Sequence, residues 1–204
     1  SMNSFILAVT GDYKIPKETR FSNSIVIAID GGFDRLIEAG KNPDILIGDM
    51  DTISEVSRIS PRIEIIKLNR DKDETDLEAG LKLAVERGAK SITILGGTSF
   101  PRVEMILNNI QVASRFTDRA AIKLTDDHSE TYLLGPHQHL AVTGRHTVSI
   151  TSLTEISTID IQGFKYDYSG ELKRSSSLGI SNLHEAEESG QIACQQGSIT
   201  VTIR

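Results

Sequence analysis

The stretch IEIIKLNRDKDETDLEAGLKLAVERGAKSITILGG, residues 63–97, decides the fold class. Ile63 to Leu68 is a short apolar run that reads as a strand. A polar, acidic segment follows. Leu77, Leu81, Ala84 and Val85 then fall on one helical face, and Gly88 ends that helix. Ile92 to Leu95 is the next strand. Strand, helix, strand in this rhythm indicates an α/β sheet with largely parallel strands. Working outward, Phe5 to Val9, Ile25 to Ile29, Asp44 to Ile47, Ala121 to Leu124 and Thr131 to Leu134 read as further strands. Helices are expected at Phe33 to Ala39, stopped by Gly40, and at about Val103 to Phe116. Residues 1–135 are therefore expected to form an α/β domain whose sheet carries helices on both faces.

The grammar changes after Gly135-Pro136. Short Thr-, Ser- and Ile-rich segments are broken by Gly144, Gly163, Gly170, Gly179, Gly190 and Gly197. That spacing predicts a smaller all-β sandwich domain over residues 137–204. His137-Gln138-His139 would face one way at its two ends if it were a strand, but it is read as an interdomain linker. Glu185, Glu187 and Glu188 are read as a solvated turn.

Composition narrows the function. The chain has 204 residues and a net charge of −6, with a pI near 5.4. That balance argues against a partner bound through a nucleic-acid backbone. The longest apolar run, Ile25 to Ile29, is far short of the ~20 residues of a membrane helix. The single cysteine, Cys194, has no internal partner and reads as a small strand residue. With no basic-then-apolar leader in view, a cytoplasmic protein is expected, bound neither to membrane nor to nucleic acid.

Four loops combine glycine or aspartate with a strand end: Asp30-Gly31-Gly32, Gly48-Asp49-Met50-Asp51-Thr52, Asp71-Lys72-Asp73-Glu74-Thr75-Asp76 and Gly96-Gly97-Thr98. In a parallel sheet all four emerge at the edge where open α/β sheets bind ligands. Turn chemistry accounts for any one of them, and Asp73 or Thr75 suits the N-cap of the Leu77 helix. Together they gather Asp49, Asp51, Asp71, Asp73 and Asp76 on one edge. Clustered carboxylates repel unless a cation sits among them. Magnesium, an oxygen-seeking ion that shares its shell with substrate phosphates, fits. The Gly31-Gly32 and Gly96-Gly97 turns can bring backbone close to an anion. Arg102, opening the Val103 helix, adds a guanidinium beside a positive helix end.

These motifs, together with Ser176-Ser177-Leu178-Gly179-Ile180-Ser181-Asn182, resemble the thiamin pyrophosphokinase family over nearly the whole chain. The resemblance implies transfer of a diphosphoryl group from ATP to the hydroxyethyl oxygen of thiamin, with release of AMP. It implies magnesium, ATP as co-substrate, and a homodimer with thiamin near the subunit interface. On the family pattern, Asp49, Asp51, Asp71, Asp73 and Asp76 surround the metal and the phosphates. Asp30, Gly31, Gly32, Thr75, Gly96, Gly97 and Arg102 serve the nucleotide, and Ser177, Ser181 and Asn182 border thiamin. An aromatic floor for thiamin would have to be Tyr or Phe, since the chain has no tryptophan.

One loop departs from that pattern. Where the family has Gly-Gly-Arg, any residue, then Asp-His, this chain has Phe100-Pro101-Arg102-Val103-Glu104-Met105. Pro101 offers no N–H to a phosphate. Two rivals follow. A binding protein that lost turnover through this loop would hold thiamin or nucleotide and release no AMP. A haloacid dehalogenase-like phosphatase would use Asp71-x-Asp73-x-Thr75, with the first aspartate as nucleophile, and would release inorganic phosphate without an acceptor. In that class the motif directly ends a strand, whereas Asn69 and Arg70 intervene here.

Overall fold

The computed structural model describes residues 3–49, 59–69, 73–99 and 101–204, and they form two compact units divided at Asp127/His128. The first unit contains β1 (Ser4–Ala8), β2 (Ser24–Ile29), α1 (Gly32–Glu38), β3 (Ile45–Gly48) and β4 (Glu64–Lys67). It continues with α2 (Asp76–Glu86), β5 (Ser91–Leu95), α3 (Val103–Ser114) and β6 (Ala121–Thr125). The strands lie in the order β6-β5-β1-β2-β3-β4. Every pair is parallel, in registers such as Phe5 opposite Ile25 and Ile92. Near-continuous apolar runs such as Phe5-Ile6-Leu7-Ala8 suit this arrangement, because a central parallel strand is covered on both faces.

Alternation along the strands sorts the core. Ile6, Ala8, Val26, Ala28 and Leu46 cluster with Phe33 and Leu36 of α1. Gly80 of α2 sits instead against Ile29 and Leu7, close enough that a Cβ there would lie 2.8 Å from Ile29 Cδ1. Leu77, Leu81 and Ala84 are the buried face of α2. Thr75 is its N-cap, and its Oγ1 accepts from Glu78 N at 3.3 Å. An ion pair of 2.7 Å between the largely buried Glu78 and Arg115 links α2 to the end of α3.

The second unit is all β: β7 (Glu130–Leu134), β8 (Gln138–Val142), β9 (His146–Ser152), β10 (Ile156–Gln162), β11 (Tyr168–Lys173), β12 (Asn182–His184), β13 (Gly190–Gln196) and β14 (Ile199–Ile203). Within it β12-β9-β14-β7 and β11-β10-β13-β8 are two antiparallel sheets. Their inward residues, among them Val148, Ile150, Ile159, Ile192 and Val201, form one core.

Two expectations are corrected here. β7 belongs with the second unit, so the division falls ahead of residue 136. The reason is its ladder with β14, from Ile199 opposite Leu134 to Ile203 opposite Glu130. Residues 137–139 are likewise not a linker. His137 occupies a left-handed turn (φ +64°) and donates its N–H to Cys194 O at 2.8 Å, and Gln138 starts β8. The acidic turn is as expected: Glu185, Glu187 and Glu188 are exposed.

Candidate active site

The strand order reverses at β1. The chain lays β2, β3 and β4 to one side, then returns to lay β5 and β6 on the other. The loops after β1 and β5 therefore part company at a topological switch point, where open α/β sheets leave a crevice for ligands. A cleft of about 290 Å³ opens there. Its walls come from Val9-Thr10-Gly11 after β1, Ile29-Asp30 at the end of β2 and Thr75-Asp76-Leu77 at the start of α2. Gly96, Gly97 and Ser99 after β5 and the first turns of α3 complete it.

Asp30 anchors the acidic side. It sits in the left-handed region (φ +47°), which Asp tolerates better than most residues. Its Oδ1 accepts from Asp49 N at 3.2 Å, tying the end of β2 to the end of β3. This needs Gly48, whose φ is +147° and where any Cβ would coincide with the Asp30 carboxylate. Burial first, then a hydrogen bond and charge from Asp76, then the charge of Asp49, push the Asp30 carboxyl up to about 8. Asp30 and Asp76 thus lie side by side at the head of α2. Carboxylate pairs of this kind suit Mg2+, which needs only one or two protein ligands and takes phosphate and water for the rest. Among the described residues no group of three or more His, Cys, Asp or Glu converges on a metal position. Asp51 and Asp71 lie outside the described residues. Asp73 is exposed and does not line the cleft.

The Gly96-Gly97 turn forms the opposite wall. Gly96 has φ +80° and gives its N–H to Thr125 O at 2.9 Å. Its carbonyl accepts from the Ser99 hydroxyl at 2.7 Å, and that of Gly97 accepts from Asn109 Nδ2 at 2.9 Å. Both carbonyls, which would repel an anion, are occupied by donors. Gly31 and Gly32 behave differently. Gly31 N donates to Thr10 Oγ1 at 3.0 Å. A Cβ on Gly32 would overlap Ala8 O, so this glycine lets α1 sit on β1. Neither lines the cleft.

Arg102 lines the cleft at the N-cap position of α3. Its side chain is 70% exposed, and Nε donates to Glu104 Oε1 at 2.9 Å. Pro101 and Met105 add apolar wall beside it. In the second unit, Asn182 is consumed by structure. Its Oδ1 accepts from Tyr166 N at 3.1 Å and Leu183 N at 2.9 Å, and its Nδ2 donates to Tyr166 O at 2.8 Å. Ser181 has φ +59°, and Ser177 and Ser181 are both exposed.

Comparison with known proteins adds the identity. Residues 17–125, more than half of the chain, match the family model described as thiamin pyrophosphokinase, catalytic domain. The chain belongs to the thiamin pyrophosphokinase family. Its reaction moves a diphosphoryl group from ATP to thiamin, and this chain is a thiamin diphosphokinase. The thiamine pyrophosphokinase of Bacillus subtilis is 28% identical over 180 residues, covering 82% of this chain and 83% of the relative. The crystal structure of the Bacillus subtilis protein superposes with a TM-score of 0.85 at 24% identity, covering 98% and 97% of the two chains. That from Geobacillus thermodenitrificans gives 0.83 at 23% identity, covering 98% and 95%.

Within this thiamin pyrophosphokinase fold, Thr10, Gly11, Ser99, Met105 and Asn109 join the cleft without having been predicted as site residues. For Thr10-Gly11-Asp12 a signal existed: it is a fifth strand-end loop of the same kind as the other four. For Asn109 none did, because only the turn of α3 onto the β5 loop brings its amide to Gly97.

Proposed function

We propose that the switch-point cleft holds the polyphosphate of ATP between the Asp30–Asp76 carboxyl pair and the Gly96-Gly97 turn. The observation that carries this reading is the pairing of those two features across one crevice. Neighbouring carboxyls that repel one another call for a cation, and the carbonyls opposite them, tied back by Ser99 and Asn109, repel an anion less. Asp30 and Asp76, with Asp49 beside them, would hold Mg2+, and Asp51, Asp71 and Asp73 are proposed to complete the acidic set. When bound, Mg2+ neutralises phosphate charge. Arg102 would grip phosphate oxygens once released from Glu104, and Thr75 would offer its hydroxyl at the head of α2.

In the reaction the hydroxyethyl oxygen of thiamin forms a bond to the β-phosphorus of ATP. The bond from that phosphorus to the oxygen bridging to the α-phosphate breaks, AMP leaves with that oxygen, and the hydroxyl proton is released to solvent. Alignment and charge neutralisation supply most of the acceleration in such transfers. The residues above act in that way, by fixing the donor while the acceptor approaches.

We assign thiamin to the C-terminal unit, at the segment carrying Ser177 and Ser181, with Asn182 shaping it from beneath. Tyr166, Leu178 and Ile180 are 61%, 58% and 48% exposed around that segment. Such apolar side chains suit a homodimer with thiamin near the subunit interface. Among the described residues no helix is long and apolar enough to cross a membrane. A cytoplasmic setting is consistent with Cys194, a buried free thiol.

The test is an assay with ATP, thiamin and magnesium, followed by separation of products. AMP and thiamin diphosphate in equal amounts, dependent on thiamin, are expected. ADP with thiamin monophosphate, or phosphate released without thiamin, would contradict the assignment.

A further inference from the structure

We propose that Tyr13 is the positioning residue of the nucleotide cleft, setting the Gly96 turn and the spacing of the β1 and β5 loops. This deepens the ATP reading and rests on it. The ring of Tyr13 occupies the place a side chain on Gly96 would take: Cε1, Cδ1 and Cζ lie 2.0, 2.3 and 2.4 Å from an ideal Cβ there. Gly96 and Gly97 line the cleft, so the ring stands behind the turn and holds its backbone forward. A Cβ on Gly97 would likewise lie 2.8 Å from Leu124 Cδ2. The backs of both glycines are filled by protein.

The Tyr13 hydroxyl donates to Val9 O at 2.7 Å and closes residues 9–13 into an arch. Gly11 on this arch lies against Ser99, with a Cβ there only 2.8 Å from Ser99 Oγ. That same hydroxyl holds Gly96 O. Thr10, also on the arch, receives Gly31 N and so reaches the β2 loop that carries Asp30. The arch therefore touches the anion side and the acidic side of the cleft at once. Tyr13 is 7% exposed within the core formed by Ile6, Ala8, Phe33 and Leu95. Burial raises its phenol far above the ordinary range and keeps it a neutral donor. An ordinary core tyrosine would support the fold alone. Tyr13 differs because the groups it touches, Val9 and Gly96, are walls of the cleft.

The test compares the parent chain with Tyr13→Phe and Tyr13→Ala. Mg·ATP affinity is measured by calorimetry, alongside KM for ATP, KM for thiamin and the thermal midpoint. Tyr13→Phe keeps the ring and removes one hydrogen bond, so the ATP Kd and KM are expected to rise about fivefold, the worth of one ordinary hydrogen bond. Tyr13→Ala also removes the backing of Gly96, and its ATP Kd is expected to rise by more than that of Tyr13→Phe. The thiamin KM stays at the parent value in both. A lowered thermal midpoint with unchanged ATP affinity, or equal rises in both KM values, would overturn the proposal. A parent chain that binds ATP as tightly as Tyr13→Phe does overturns this proposal alone. A parent chain that binds no ATP overturns the nucleotide reading and the proposal together. If Tyr13→Ala does not fold, Tyr13→Phe decides.

Discussion

Asp30 carries an electrostatic load that a cation would relieve, and this has a measurable consequence. Its carboxyl titrates near 8 in the fold against an ordinary value of 3.8. The folded state therefore binds more protons than the unfolded state between those values, and stability falls as pH rises through that window. The contribution is complete below about pH 4 and lost above about pH 8. Magnesium-free protein is expected to show a falling thermal midpoint from pH 4 to pH 8, relative to Asp30→Asn. Magnesium should restore the midpoint at pH 8 in the parent chain only. Parallel profiles for the two chains would remove Asp30 from the centre of the acidic site. Asn182 makes a different case. Its amide bridges to the Tyr166 backbone, so Asn182→Ala leaves partly buried backbone groups without this partner and is expected to destabilise the C-terminal unit by about 1 kcal/mol. Chemical denaturation measures this. Unchanged stability with a raised thiamin KM would instead give Asn182 a direct role at the substrate. Asp30 was legible in the sequence because a carboxylate at a strand end announces itself. The work of Asn182 was not, because Tyr166 lies sixteen residues away in the chain.

At the scale of elements, helix α3 opens beside Pro101 and Arg102 at the rim of the cleft. Pro101 removes a backbone donor, and Arg102 stays at the head of the helix with Glu104 as its partner. Glu104 is held below the usual carboxylate range, first by its own backbone N–H and then by Arg102. Arg102→Lys is expected to weaken ATP binding by about 1–3 kcal/mol, since a point charge cannot replace a two-pronged grip. Glu104→Gln releases the guanidinium and is expected to tighten ATP binding. Calorimetry checks both, and ATP affinity unmoved by either change would show that the loop has left the site. The elements of the first unit were readable because its strands are short apolar runs and its helices amphipathic. β7 was misassigned from sequence because Thr131 to Leu134 looks like any other strand. Only its antiparallel ladder with β14, some seventy residues later, gives its allegiance.

At the scale of the molecule, the parallel order β6-β5-β1-β2-β3-β4 puts a crevice where the chain reverses direction across the sheet. The existence of a ligand edge followed from the strand-helix rhythm alone. Its location between β1 and β5 did not, because strand order is not written in local periodicity. The central claim is that ATP occupies that crevice, with phosphate at Gly96-Gly97 and the cation at Asp30 and Asp76. A crystal structure of the chain with magnesium and a non-reacting ATP analogue tests it most directly. The account predicts phosphate oxygens within about 3 Å of the backbone of the Gly96-Gly97 turn, and Mg2+ touching a carboxylate oxygen of Asp30 or Asp76. An analogue bound elsewhere, with the switch-point crevice left to solvent, would contradict it.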